Sequence, residues 1–213
     1  MNVAILTSNN QWFIPYAEIL NKKIDNSKLF FHHSQINKPF DILFILSYHH
    51  IIERKYLQSN KHNIVIHASD LPKGKGWSPM FWQILEDKNE IPFSMFEASN
   101  GIDNGDIYMK SILSLTGYEL NNELREKQAK HIIEMCLEFL KNYQKYKIPT
   151  PQKGDETFYP KRGMKDSKFD INKSLKEQFN LLRIVDNINY PAFFELDRHK
   201  YILKIEKAND ENR

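Results

Sequence analysis

The sequence predicts an α/β layer fold with a mostly parallel central sheet. Two observations predict it. Short apolar runs alternate with stretches of helical periodicity, and a long amphipathic helix follows the last of these runs. In order, "NVAILTS" (2–8) reads as a buried first strand bounded by Ser-Asn-Asn. "QWFIPYAEILNKKI" follows, with Phe13, Tyr16, Leu20 and Ile24 at helical spacing. "SKLFFHH", "FDILFILSY" and "NIVIHAS" read as strands two to four. "SPMFWQILEDK" reads as a helix with Ser78 as N-cap and Pro79 at the first helical position. "IPFSMFEAS" and "GDIYMKSILSL" are strand-like, separated by the turn formers of "NGIDNGD". "NNELREKQAKHIIEMCLEFLKNYQKY" carries Ala129, Ile132, Ile133, Cys136, Leu140 and Tyr143 on one stripe, a helix packed on the sheet.

Composition then shifts. "KIPTPQKGDETFYPKRGMKDSKFDINKS" has three prolines, two glycines, many charges and no periodicity, and reads as an irregular connector. "LKEQFNLLRIVDN" is a short helix candidate, and "PAFFELDRHKYILKIEKA" a hairpin turned at Asp197-Arg198. The expected division is a catalytic domain over 1–147 and a connector with a small C-terminal helix/β-hairpin appendage over 148–213.

The chain has 213 residues, of which 41% are hydrophobic and 27% charged, enough for one cored domain. A net charge of +3 is too small to argue for nucleic acid as a partner. One cysteine excludes an internal disulfide, and in "HIIEMCLEFL" it reads as a buried hydrophobe. No signal-like start and no apolar run long enough to span a membrane is seen, so the expected location is the cytoplasm, with no membrane partner.

Open α/β sheets bind ligands at the carboxyl ends of their strands. Two loops stand out there, "HASDLPKGKGWSP" and "EASNGIDNGDI". His67 closes a strand, and an imidazole there can transfer or stabilise a proton, with a nearby carboxylate to orient it and hold its charged form. Asp103 lies in a turn-rich stretch that suits a carboxylate projected into a cleft. Taken singly, each also fits a structural histidine or a turn aspartate. The pairs His32-His33 and His49-His50 make no natural chelate, since adjacent strand residues face opposite ways, and no metal-site spacing accompanies them. "SNNQWF" after strand one contains no glycine, which leaves a dinucleotide site unsupported. Lys73 and Lys75 flank Gly74 and suit either an anion or solvent.

Together the loops resemble the formyltransferases that use 10-formyltetrahydrofolate. That family carries Asn-x-His-x-Ser-x-Leu-Pro, a basic residue and Gly, then Pro and an aromatic, here "VIHASDLPKGKGWSPMFW". Its Gly-x-Asp-x-Gly-Asp-Ile motif stands as "GIDNGDI", and the separation of His67 and Asp103 (103 minus 67, or 36) matches. "FDILFILSYHHII" is similar to the strand and loop that enclose the pterin. "ETFYPKRGMKDSKFDINKS…LLRIVDNINYPAFFEL" is similar to the tail of the small sugar N-formyltransferases. One departure stands out: the family's asparagine two residues before the histidine is Val65 here, with Asn63, Ser69 or a water left to replace it.

The resemblance implies a Rossmann-like formyltransferase fold and formyl transfer from 10-formyltetrahydrofolate, without a metal, to the amine of an amino-sugar, nucleotide-linked, in surface glycan biosynthesis. It implies that His67 and Asp103 are catalytic, that His50, Ile51, Ile52, Ala98, Ser99 and Asn100 enclose the cofactor, and that Lys75 and Trp77 meet the acceptor. About 65 residues follow position 148 (213 minus 148), few for the RNA-binding domain of a methionyl-tRNA formyltransferase. A binding protein on an impaired scaffold and a formyl-folate hydrolase remain alternatives, and homodimerisation stays open.

Overall fold

The computed structural model describes residues 1–208. Its elements are β1 (Val3–Leu6), α1 (Ile14–Lys23), β2 (Lys28–Phe30), β3 (Ile42–Ile45), α2 (Arg54–Leu57), β4 (His62–His67), β5 (Lys75–Gly76) and α3 (Pro79–Leu85). These are followed by β6 (Glu90–Glu97), β7 (Ile107–Ser114), α4 (Asn121–Lys141), α5 (Tyr143–Tyr146), β8 (Phe158–Tyr159), α6 (Phe179–Ile184), β9 (Ala192–Leu196) and β10 (His199–Leu203).

The main sheet has the order β2-β1-β3-β4-β6-β7. The first four strands are parallel, and β6 and β7 are antiparallel to their neighbours. Both faces are covered, which is why β1 and β3 read as continuous apolar runs. Ile5, Phe44 and Ile64 pack on Phe13, Leu20, Ile133 and Phe139. Ala4, Leu6, Leu43 and Ile45 pack on the other side with Phe40 and Leu57. Alternation along β4 puts Asn63, Val65 and His67 on this second face. From β1 the chain leaves to one side for β2, then returns past β1 to β3, so the switch in strand order falls between β1 and β3. Crevices at such a point, outside the carboxyl ends, are where open sheets take ligands.

Three local expectations change. Ser78 does not cap α3: it has φ 49°, in the left-handed region, and its side chain makes no cap hydrogen bond. The long helical stretch breaks at Asn142 (φ −112°, ψ 35°), which separates α4 from α5. His32 and His33 lie beyond β2, in a turn that stacks their rings 4.3 Å apart rather than on opposite strand faces. Cys136 is buried as expected, and burial pushes its thiol far up.

The hairpin forms as read, with Asp197 (φ 49°) and Arg198 (φ 67°) at its turn. The connector is better anchored than its composition suggests. Residues of β8 pair in parallel with β5, and Thr150 bridges Ile107. Further on, Arg183, 1% exposed, joins Glu119 at 2.8 Å. Burial pushes the Glu119 carboxyl up, but hydrogen bonds led by that from Lys127 override it and hold the group at about 2.

Candidate active site

His67 is the last residue of β4, and its Nε2 lies 3.0 Å from the carbonyl oxygen of Gly74. A carbonyl only accepts, so Nε2 carries the hydrogen. The Oδ2 of Asp103 stands 3.6 Å from the same nitrogen, with the two side chains 12% and 17% exposed. Oδ2 also accepts the backbone N–H of Gly76 at 2.8 Å. Asp103 has φ 52°, a conformation that aspartate tolerates better than most residues. Gln152 holds its backbone by donating to the carbonyls of Asp103 (2.7 Å) and Gly105 (2.8 Å). A Cβ on Gly105 would stand 1.5 Å from the Glu97 carbonyl oxygen, so only glycine lets this loop close on β6.

The strand carrying Gly74 and Gly76 is fixed from the connector. Gly74 N–H donates to Thr157 Oγ1, Lys75 N–H to the Thr157 carbonyl and Trp77 N–H to the Tyr159 carbonyl, at 2.8 to 3.1 Å. Gly76 has φ 97°, and a Cβ there would lie 2.5 Å from that Tyr159 carbonyl oxygen. Lys75 points inward and is 1% exposed. Its ammonium is committed to Glu156 at 2.5 Å and to Asn104 Oδ1. Trp77 remains 43% exposed and stacks on His49.

The position that distinguishes this chain is occupied by an apolar wall. Val65 packs beside Tyr48, Ile52 and Ala98. Asn63 is fully used elsewhere: its amide nitrogen donates to the Leu57 carbonyl and Glu97, and its oxygen accepts from Asn60. Ser69 is 1% exposed, and its hydroxyl has no partner among the described residues. Asn104, held by Lys75 through its oxygen, has an Nδ2 that makes no hydrogen bond among the described residues.

Around this wall, Ile51 is 93% exposed, Ile52 and Ala98 are half-buried, and His50, Ser99 and Asn100 are exposed. Among the described residues the backbone groups of 50–52, 99 and 100 make no hydrogen bonds to other backbone groups, while Ala98 N–H donates to the Asn63 carbonyl at 2.6 Å. An apolar wall with free backbone edges suits a flat heteroaromatic ring such as a pterin. Beneath it runs a chain of polar contacts. Glu97 accepts from Asn63 and from the Tyr108 hydroxyl at 2.5 Å; Tyr108 meets His62 at 2.9 Å, and His62 meets Tyr143 at 2.8 Å. Burial pushes Glu97 up, partly offset by the bonds from Tyr108 and Asn63.

His67 and Asp103, chosen from sequence, are brought together. Gln152, Glu156 and Thr157 were not anticipated, because no periodicity marks their segment as part of the site. No group of histidine, cysteine or carboxylate side chains among the described residues is arranged to hold a metal ion. Among the described residues no helix is long and apolar enough to cross a membrane.

No protein-family model matches the sequence. A methionyl-tRNA formyltransferase from Thermodesulfovibrio yellowstonii is 29% identical over 150 residues, 70% of this chain and 48% of the relative. Among solved structures, a methionyl-tRNA formyltransferase from Clostridium thermocellum aligns with TM-score 0.81 at 23% identity, over 100% of this chain and 95% of that one. In sequence the chain is similar to methionyl-tRNA formyltransferases, and it shares the fold of one. A 4-N formyltransferase from Francisella tularensis shares the fold, with TM-score 0.75 at 14% identity over 98% of both chains. The chain spans about half the length of the sequence relatives it matches.

Proposed function

We propose that this protein transfers a formyl group from 10-formyltetrahydrofolate to the amine of a nucleotide-linked amino-sugar used in glycan biosynthesis. The observation that carries the reading is the His67–Asp103 pair, 3.6 Å apart at the carboxyl end of β4. His50, Ile51, Ile52, Ala98, Ser99 and Asn100 form the cofactor side. The likeness in fold to a sugar N-formyltransferase from Shewanella, over 99% of both chains, supports an amino-sugar acceptor.

When bound, 10-formyltetrahydrofolate supplies the formyl group, whose bond to the folate nitrogen breaks as the bond to the acceptor nitrogen forms. His67 donates its Nε2 hydrogen to the formyl oxygen as negative charge gathers there, turning from the Gly74 carbonyl it otherwise meets. Asp103 offsets charge on the imidazole and relays the proton lost by the attacking amine, which ends on the departing nitrogen. The donor that Val65 lacks comes from the opposite loop, from the free Nδ2 of Asn104 oriented by Lys75. The Val65, Ile52 and Tyr48 wall keeps water from the reacting carbon.

The test is product formation from 10-formyltetrahydrofolate and a panel of nucleotide-linked amino-sugars. A formylated sugar supports the reading. Formate without an acceptor requirement points to a hydrolase, and absence of formyl-folate binding to an impaired scaffold. A second reading, transfer to methionyl-tRNA, is favoured by the sequence relatives; charged tRNA in the same assay decides between the acceptors.

A further inference from the structure

At the switch point between β1 and β3, residues that take no part in the chemistry above gather around Trp77. The loop after β1 and the loop after β3 are tied together: His49 N–H donates to Ser8 Oγ at 3.0 Å, and His49 Nε2 meets Gln11 Oε1 at 2.8 Å. The His49 ring stacks on Trp77 at 6.0 Å between centroids and 29° between planes. Lys161, from the connector, sets its ammonium 4.9 Å from the centre of the same indole. Behind them the Arg125 guanidinium is clamped between Trp12 (4.5 Å) and Phe81 (4.4 Å).

The positive charge of this corner is unbalanced. Lys161 and Arg125 form no salt bridge among the described residues, and Arg125 donates only to Gln128 at 3.3 Å. Arg125 is held at about 10, chiefly by burial, with Asp186 opposing the shift. Asp186 is itself engaged by Ile188 and Asn189. His49 is drawn down by partial desolvation and then by His50, Lys161 and Arg125, so it lies in the same positive field.

We infer that His49, Trp77 and Lys161, backed by Arg125, form an anion-recognition site that takes the diphosphate of a nucleotide-linked acceptor. Position supports that ligand over a bare phosphate trapped at random. Trp77 follows Gly76, whose N–H holds Asp103, so the site begins one residue along the chain from the group that positions the carboxylate. An acceptor with its phosphates on Lys161 and His49 presents its far end, the amine, toward His67. The patch is one compact corner on a chain of net charge +3, which favours a small dianion over an RNA backbone. The inference rests on the proposed acceptor class, although the site itself does not require it.

The experiment is calorimetric titration of the full chain with inorganic pyrophosphate, at low and moderate salt. Saturable binding is expected, weakened about 10-fold or more in Lys161→Ala and in His49→Leu, the scale of a lost charge-assisted hydrogen bond. Lys22→Ala, which removes a charge from the exposed end of α1, leaves it unchanged. Lys161 is exposed, so its variant keeps the test decisive even if His49→Leu misfolds. Binding of a formyl-folate analogue is unchanged by Lys161→Ala. Absent pyrophosphate binding, or equal loss in Lys22→Ala, overturns the inference. So does competition between pyrophosphate and the folate analogue, which would assign the corner to the glutamate carboxylates of folate, or an RNA hairpin that binds where pyrophosphate cannot compete. Pyrophosphate binding without folate binding leaves the anion site standing and removes the formyl-transfer reading.

Discussion

Replacing Asp103 by asparagine removes one charge and almost no volume, so the cost of that charge is measurable by itself. The asparagine oxygen still accepts the Gly76 N–H that holds Oδ2 at 2.8 Å, and Gln152 still holds the backbone carbonyl. What is lost is attraction between a carboxylate and an imidazolium 3.6 Å apart. At an effective dielectric constant of about 20, that attraction is about 4.6 kcal/mol, a ceiling of roughly 10³-fold in rate. Because the pair keeps some exposure and the charge on His67 is only partial as bonds change, a fall in kcat of about 10²- to 10³-fold is expected. The assay is single-turnover formyl transfer with both substrates saturating, beside thermal unfolding of each chain. The expected result is a collapse of kcat with KM for the formyl donor within about threefold and Tm within about 2 °C. A fall in kcat below about 10-fold refutes the role of Asp103. A matching fall in Tm shows that the residue serves the fold instead.

Other consequences follow from neighbouring groups. Asn104→Ala lowers kcat about 10- to 100-fold, and adding Val65→Asn restores most of it; a lack of rescue in single-turnover kinetics contradicts the assignment of the replacement donor. Gly105→Ala drives a Cβ toward the Glu97 carbonyl and costs about 1–3 kcal/mol, read by chemical denaturation; an unchanged midpoint contradicts the packing. Arg183→Leu leaves the buried Glu119 carboxylate without its buried cation, with only the half-exposed Lys127 and the N–H groups of Thr116 and Gly117 as partners, and costs about 3–5 kcal/mol, read the same way. Because Glu97 is raised above 4.5 in the fold, the folded state binds its proton more tightly than the unfolded chain. Stability relative to Glu97→Gln therefore falls as pH rises from 4.5 through the raised value, and a flat difference between the two Tm curves contradicts the burial argument.

The sequence made the sheet and the His67–Asp103 pair legible for physical reasons. Strands buried on both faces leave uninterrupted apolar runs, as in Ile42–Ile45, and α4 leaves a stripe at helical spacing. His67 and Asp103 stood out because two short motifs occurred at a definite separation. Contacts between distant, aperiodic segments were not legible. Thr157 and Tyr159 hold Gly74 and Trp77 across some eighty residues through a two-residue strand, too short to show alternation. Lys75 reads as a solvated loop lysine until Glu156 and Asn104 arrive to bury its charge. Ser78 has the composition of a cap, but the loop before it enters α3 with a left-handed residue, and the side chain misses the helix end. Val65 marked where something was missing. Only the fold shows that Asn63 is already spent on Glu97, Leu57 and Asn60.

The most direct test of the central claim is mass analysis of nucleotide-linked amino-sugars incubated with 10-formyltetrahydrofolate and either the native chain or His67→Asn. The account predicts one acceptor heavier by a single formyl group with the native chain. It predicts no product with a folded His67→Asn that still binds a formyl-folate analogue. Equal product from both chains would contradict it, because the chemistry would then lie away from the His67–Asp103 pair.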